Sequence, residues 1–269
     1  MKKLLALLLA ALLVVTLSAC GDKKEEETGG KKKEEETLIT ELPDEAGNVF
    51  SFESIDSETV RITGFHGKSD PHAVTVPGVL NEKVVTEIAA EAFRAASNIS
   101  VLTLPDTVEV IGDYAFAEAT ITAINLPKAL VTIGENAFAG CRSLQTVTFA
   151  PEIQLATIPD TAFINCGLTA IEIPASVKTI GSGAFMNNQA LVSVKINEGT
   201  ELVGDGAFQG CKALATLILP ASLVEIGDYV FSGSEALYMS GVTAPAGSVA
   251  EGYIADMNLA EAAPPAPAE

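Results

Sequence analysis

The sequence predicts a β-rich solenoid of about seven stacked 22–25-residue coils, with an N-terminal hairpin cap and a short C-terminal capping helix. Three observations predict it. First, the unit Ile-Gly-x-x-Ala-Phe echoes along the chain at residues 111–116, 133–138, 158–163, 180–185, 203–208 and 226–231, with a looser first copy at 88–93. Second, successive phenylalanines (Phe93, Phe116, Phe138, Phe163, Phe185, Phe208, Phe231) fall 23, 22, 25, 22, 23 and 23 residues apart. Self-similarity at 20–29 residues marks units that bury their apolar face only by stacking. Third, an apolar residue precedes the unit's Ile or Val by twelve in the pairs Ile99/Ile111, Ile121/Ile133, Leu168/Ile180, Leu191/Val203 and Leu214/Ile226. The fourth copy departs, with fourteen from Leu144 to Ile158, and its two extra residues fall within 150–156, where a loop should bulge.

In chain order, Met1-Lys2-Lys3 is a basic start, and residues 4–16 are uncharged, mostly apolar and short for a bilayer span. Leu17-Ser18-Ala19-Cys20 follows and resembles a bacterial lipobox. That resemblance implies removal of residues 1–19, a diacylglyceryl group on Cys20 and a chain held at the extracytoplasmic face of the cell membrane. An ordinary signal peptide or an uncleaved anchor is the alternative. Two acyl chains suffice for stable anchoring where one does not.

Residues 20–37 read as the lipidated cysteine and a charged tether. Blocks such as Glu25-Glu26-Glu27 and Lys31-Lys32-Lys33 carry no apolar side chain to offset the entropy of ordering. As a coil the tether spans on the order of 20–25 Å. Residues 38–71 read as the N-terminal cap, with Phe50-Ser51-Phe52-Glu53 and Thr59 to Phe65 as the arms of a hairpin over the first coil.

The solenoid is expected over 72–246. In the coil of Phe185, Leu168-Thr169-Ala170-Ile171-Glu172-Ile173-Pro174 ends in the alternation of a half-buried strand, and Pro174 closes it. Residues 177–180 form a second short extended segment, Gly181-Ser182-Gly183 turn the chain, and Ala184-Phe185 drop into the core. Burying the six large apolar side chains of such a coil gains roughly 1.5–3 kcal/mol each. Ordering costs about 1.5 kcal/mol per residue, so one coil does not fold alone. Residues 247–259 read as the C-terminal cap, a short helix with Ser248 as N-cap and Glu251 three residues on. Residues 260–269, rich in Ala and Pro, read as a disordered tail.

The unit L-x-x-I-x-(I/L)-P-x-x-V-x-x-I-G-x-x-A-F-x-x-C resembles the BspA-type leucine-rich repeat of bacterial surface proteins. The similarity spans roughly 60–258, including Ile62-Thr63-Gly64-Phe65 before the repeats and Gly247-Ser248-x-Ala250-Glu251-x-Tyr253 after them. It implies a curved leucine-rich-repeat solenoid, surface exposure and binding of a protein or matrix partner, and it brings no catalytic residues and no cofactor. Ala89-Ala90, Pro159 and Val203 depart from the pattern and imply local irregularity.

The net charge of −19 is carried by the body, because the basic start offsets the small acidic excess of the tether. So acidic a body repels phosphate backbones, which argues against nucleic acid. Loose binding of divalent cations stays open, although no calcium-loop pattern appears. Cys141, Cys166 and Cys211 each lie three residues after a repeat phenylalanine, at a position suited to a small apolar side chain. Three buried thiols are the favoured reading, and a Cys141–Cys166 bond is the alternative. The histidines His66 and His72, with Asp70, offer at most a metal corner beside the first coil. No nucleophile elbow, phosphate loop or zinc spacing is present, so no enzyme is expected.

Function is placed on the outward face of the strand ribbon. One column there is Thr75, Thr103, Asn125, Thr148, Glu172, Lys195 and Ile218, and a second is Val101, Ala123, Thr146, Ala170, Ser193 and Thr216. The ribbon has no aromatic side chain to stack a sugar or base, since Tyr114, Tyr229, Tyr238 and Tyr253 lie off it. A flat protein contact made by a monomer suits it best. The competing reading is a passive envelope spacer without a specific ligand.

Overall fold

A computed structural model describes residues 40–44, 47–67, 72–234, 236–237 and 242–262. Cys20 with the stretch before it, the tether, Asp70, Tyr238 and residues 263–269 lie outside the described residues.

The N-terminal cap has three strands. β1 (Thr40–Pro43) and β3 (Thr59–His66) flank β2 (Val49–Ser54), both antiparallel to it. The hairpin is the expected one, and β1 adds an outer strand to it. After β4 (His72–Thr75) and β5 (Val79–Leu80), β6 (Lys83–Ile88) pairs parallel with β3 and joins the cap to the solenoid.

Each later coil then gives one ribbon strand and one two-residue strand. These are β7 (Ile99–Thr103) and β8 (Val110–Ile111), β9 (Ala123–Leu126) and β10 (Thr132–Ile133), β11 (Thr146–Phe149) and β12 (Thr157–Ile158). The second half holds β13 (Ala170–Ile173) and β14 (Thr179–Ile180), β15 (Ser193–Ile196) and β16 (Leu202–Val203), β17 (Thr216–Ile218) and β18 (Glu225–Ile226). A last ribbon strand, β19 (Val242–Thr243), pairs parallel with β17, although no repeat unit announces it.

Aromatic stacking runs without a break from cap to cap. Phe50, Phe65, Phe93, Phe116, Phe138, Phe163, Phe185, Phe208 and Phe231 follow one another with ring centroids 4.8–5.8 Å apart. Tyr253 meets Phe231 edge-on at 6.2 Å and closes the column. Tyr253 belongs to α1 (Val249–Ala262), which runs three residues past the cap boundary expected from sequence. Its Ser248 Oγ accepts from the Glu251 N–H at 3.1 Å, as an N-cap should. Glu251 reaches back to the N–H of Gly247 rather than that of Ser248.

The repeat glycine is required by close approach. Its N–H donates to the Ile or Val of the previous coil, from Gly112 to Ile88 and from Gly204 to Ile180, both at 2.8 Å. A Cβ on Gly112 would sit 2.5 Å from the backbone nitrogen of Ala90. Two residues on, every copy takes a left-handed backbone: Glu91, Tyr114, Asn136, Thr161, Gly183, Gly206 and Tyr229 all have φ between 54° and 60°.

The short-strand ladder is broken between the third and fourth repeat units, and the ribbon ladder between the fourth and fifth. β4, β7, β9 and β11 form one four-stranded sheet and β13, β15, β17 and β19 another, with no ladder between β11 and β13. β10 and β12 are likewise unpaired. The expected bulge thus coincides with a seam in the strand ladders, across which the coils stay stacked. Pro159 stands at the repeat glycine, and without an N–H it cannot donate to the previous coil. The turn wall still crosses the seam, through Phe138 N–H to Ala162 at 2.9 Å and Gly140 N–H to Ile164 at 2.8 Å.

The cysteine position takes a small side chain packed on the core, Ala96 and Ala119 in the early coils, and in the later coils that side chain also donates a hydrogen bond. The thiols of Cys141, Cys166 and Cys211 point at the carbonyls of Phe116, Phe138 and Phe185, one coil back in the first two and again in the third, at 2.9, 3.1 and 3.4 Å. In the other late coils Asn188 Nδ2 donates to Phe163 at 2.8 Å, and Ser234 Oγ to Phe208 at 3.4 Å. All three cysteines are buried free thiols.

Candidate binding surface

Alternation along the ribbon strands decides which side chains are displayed. In β13, Ile171 and Ile173 are buried while Ala170 and Glu172 are exposed, and β15 repeats this with Val194 and Ile196 inside and Lys195 outside. Parallel register then lines the outward residues up. Thr75 lies opposite Thr103, Asn125 opposite Thr148, Glu172 opposite Lys195, and Lys195 opposite Ile218. The first column expected from sequence is therefore exposed and in line along each sheet. In the second column Val101, Thr146, Ala170 and Thr216 are exposed, while Ala123 and Ser193 are half-buried.

The seam divides this surface. Thr103, Asn125 and Thr148 belong to the first sheet, where Thr148 Oγ1 donates to Asn125 Oδ1 at 3.0 Å. Glu172, Lys195 and Ile218 belong to the second. There Lys195 Nζ lies 2.7 Å from Glu172 Oε1, and Asn197 Nδ2 donates to the same oxygen at 3.0 Å. The hydrogen bonds from Lys195 and Asn197 hold the Glu172 carboxyl below the usual glutamate range. Beside them Ile218 exposes 40% of its surface, so acid, base and aliphatic side chain stand on three neighbouring strands.

Between the sheets the seam opens a cleft of about 440 Å³ lined by Thr148, Phe149, Pro151, Glu172, Pro174 and Asn197 among others. Phe149 is only half-buried there, where the other coils place an aliphatic side chain such as Leu126 or Ile173. Sequence reasoning located the extra residues but not the cleft. The signal was available in Ala150-Pro151, which moves the strand-closing proline one place later than in the units ending at Pro127 or Pro174.

His72 Nε2, at the start of β4, lies 2.6 Å from Asn48 Oδ1 of the cap. Among the described residues no three His, Cys, Asp or Glu side chains gather to hold a metal ion. No helix of the described residues is long and apolar enough to cross a membrane. What the ribbon offers chemically is a stiff sheet presenting short polar side chains and one ion pair beside an aliphatic side chain, which suits recognition by contact.

Comparison with known proteins agrees with this architecture. The family described as "BspA type Leucine rich repeat region" matches in six copies, over residues 79–192 and 156–260. Among solved structures, the leucine rich repeat protein of T. pallidum is 33% identical over 70% of this chain and 87% of that one, with a TM-score of 0.62. The pneumococcal vaccine antigen PcpA is 18% identical over 73% of this chain and 80% of its own, at a TM-score of 0.40. A leucine-rich repeat protein from Bacteroides capillosus is 24% identical over 58% of this chain and 98% of its own, at 0.38. The curated proteins contain no match. Repeat unit, stacked fold, the family match and the likeness to the T. pallidum protein show that the chain belongs to the BspA-type leucine-rich repeat proteins.

Proposed function

We propose that this protein is a lipid-anchored recognition module of the cell surface that binds a protein or matrix partner through its strand ribbon. The family is one of scaffolds suited to protein interaction, and they are typically not enzymes. The observation that carries the reading is the in-register triplet Glu172, Lys195 and Ile218, exposed on a sheet whose backbone is fixed by stacking. A carboxylate, an ammonium and an aliphatic side chain on neighbouring strands can read a complementary patch without reorganising, which spares the ordering cost of a mobile loop. Thr103, Asn125 and Thr148 extend the contact across the seam. Diacylglyceryl Cys20 and the charged tether hold the solenoid at the extracytoplasmic face, clear of the headgroups.

A passive spacer is the second reading. The ribbon favours it in one respect, because it carries no Trp, Tyr or Arg of the kind that dominates binding hot spots. Saturation binding of the full chain to matrix proteins, mucin and bacterial cells separates the two. A recognition module binds one of them saturably and loses it in the Glu172→Ala/Lys195→Ala/Ile218→Ala triple variant. A spacer binds none.

A further inference from the structure

The turn wall, away from the ribbon, holds a second depression, of about 630 Å³. Its lining includes Arg94, Tyr114, Glu118, Asn136, Arg142 and Asn165. The whole chain has three arginines, and two of them meet here, on a body of net charge −19. The repeat does not require either one. At the place of Arg94, one residue after the repeat phenylalanine, other coils carry Ala117, Ala139, Ile164 and Met186. At the place of Arg142, four residues after it, they carry Thr120, Gly167, Gln189 and, in the Phe208 coil, a second base in Lys212.

The side chains are held as a set. The Arg94 guanidinium lies 5.5 Å from the centre of the Tyr114 ring and pairs with Glu91 at 3.2 Å. Asn136 Nδ2 donates to the Tyr114 hydroxyl at 3.2 Å, which leaves the phenol proton free to donate outward. Tyr114 takes the left-handed backbone at φ 55°, as the equivalent residue of every copy does, so the repeat itself fixes where its ring stands. Among the described residues Arg142 has no side-chain hydrogen bond or ion pair. Glu118 is the one carboxylate in the lining.

We propose that this depression binds a sugar bearing a carboxylate. The unpartnered Arg142 fork matches a carboxylate with two parallel N–H···O bonds. The Tyr114 hydroxyl and the amides of Asn136 and Asn165 line the same depression and supply donors and acceptors for ring hydroxyls. The volume suits one or two sugar rings. At physiological salt the Debye length is about 8 Å, so the distant acidic groups repel such a ligand only weakly. An acidic peptide fits less well, because an extended chain needs a row of backbone partners and this wall offers side chains instead.

The test is isothermal titration of the full chain with N-acetylneuraminic acid and with glucuronic acid. N-acetylglucosamine serves as the neutral control and a pentaglutamate peptide as the acidic one. At least one acidic sugar is expected to bind saturably, R142Q and R94Q each to weaken it at least tenfold, and both controls to fail. The Glu172/Lys195/Ile218 triple variant keeps this binding, so the outcome does not depend on the ribbon. The proposal is overturned if neither acidic sugar binds, if R142Q binds as wild type does, or if either control binds as tightly.

Discussion

Phe163 and Phe185 stack face to face, with ring centroids 5.3 Å apart and planes 3° from parallel. They are the middle of a column that starts in the N-terminal hairpin and ends on Tyr253 of the C-terminal helix, so the caps are joined to the repeats through the same core. Truncating either ring leaves a cavity that its neighbours on both sides lose contact with. Phe163→Ala or Phe185→Ala should each cost about 3–5 kcal/mol, read by urea or thermal unfolding. A melt unchanged in both variants contradicts the buried column.

The turn after each repeat glycine makes opposite predictions at two nearby positions. Thr161 is β-branched yet has φ 54°, a costly conformation for such a residue. Thr161→Gly should therefore stabilise, by about 0.5–1 kcal/mol once the extra flexibility of glycine in the unfolded chain is counted. Gly181 lacks a positive φ but has no room, since a Cβ there would lie 2.6 Å from the Asp160 nitrogen. Gly181→Ala should destabilise. Thermal melts of the two variants moving in the same direction would refute this account of the turn.

The buried thiols give an alkaline dependence. Burial pushes Cys211 up to about 12 from an ordinary 9.0, and burial also raises Cys166 well above its usual range. In the unfolded chain these thiols lose their protons near pH 9, whereas in the folded chain they keep them. The folded state then binds more protons, so stability is full below pH 9 and falls as pH rises toward 12, by up to about 1.4 kcal/mol per pH unit for each thiol. Cys211→Ser should remove one share of that slope while keeping the bond to Phe185, as Ser234 does to Phe208. Melting curves from pH 7 to 11 check it.

On the ribbon, Glu172 and Lys195 should matter little to stability. The pair is exposed, and such pairs contribute roughly 0.2–1 kcal/mol. Because the folded carboxyl titrates below its ordinary value, this small contribution is present above the unfolded value and is lost as pH falls through the folded one. Glu172→Gln should leave the melting temperature nearly unchanged at pH 7 and flatten its acid limb slightly. A large loss of stability at pH 7 would make the pair structural rather than a displayed contact.

The coils were legible because a five-residue spacing from Ile to Phe and a period near 23 are demanded at every step of the stack, so each copy repeats the same evidence. The outward column followed from strand alternation alone. The seam was harder to read. It needed the absence of the Pro159 N–H to be set against a hydrogen bond between coils that local sequence does not display. The donor of the later coils was visible in part, since Cys141, Asn188 and Ser234 all carry one where Ala96 and Ala119 stand earlier. The depression around Arg142 was not legible, because Tyr114 and Glu118 take left-handed conformations that their residue types do not announce.

The central claim is that the ribbon recognises a partner, and the most direct measurement is saturation binding of wild type beside the Glu172/Lys195/Ile218 triple variant. The account predicts saturable binding to a matrix protein, mucin or a bacterial surface, abolished in a variant whose melting temperature matches wild type. Binding that persists at equal strength in that variant would contradict it.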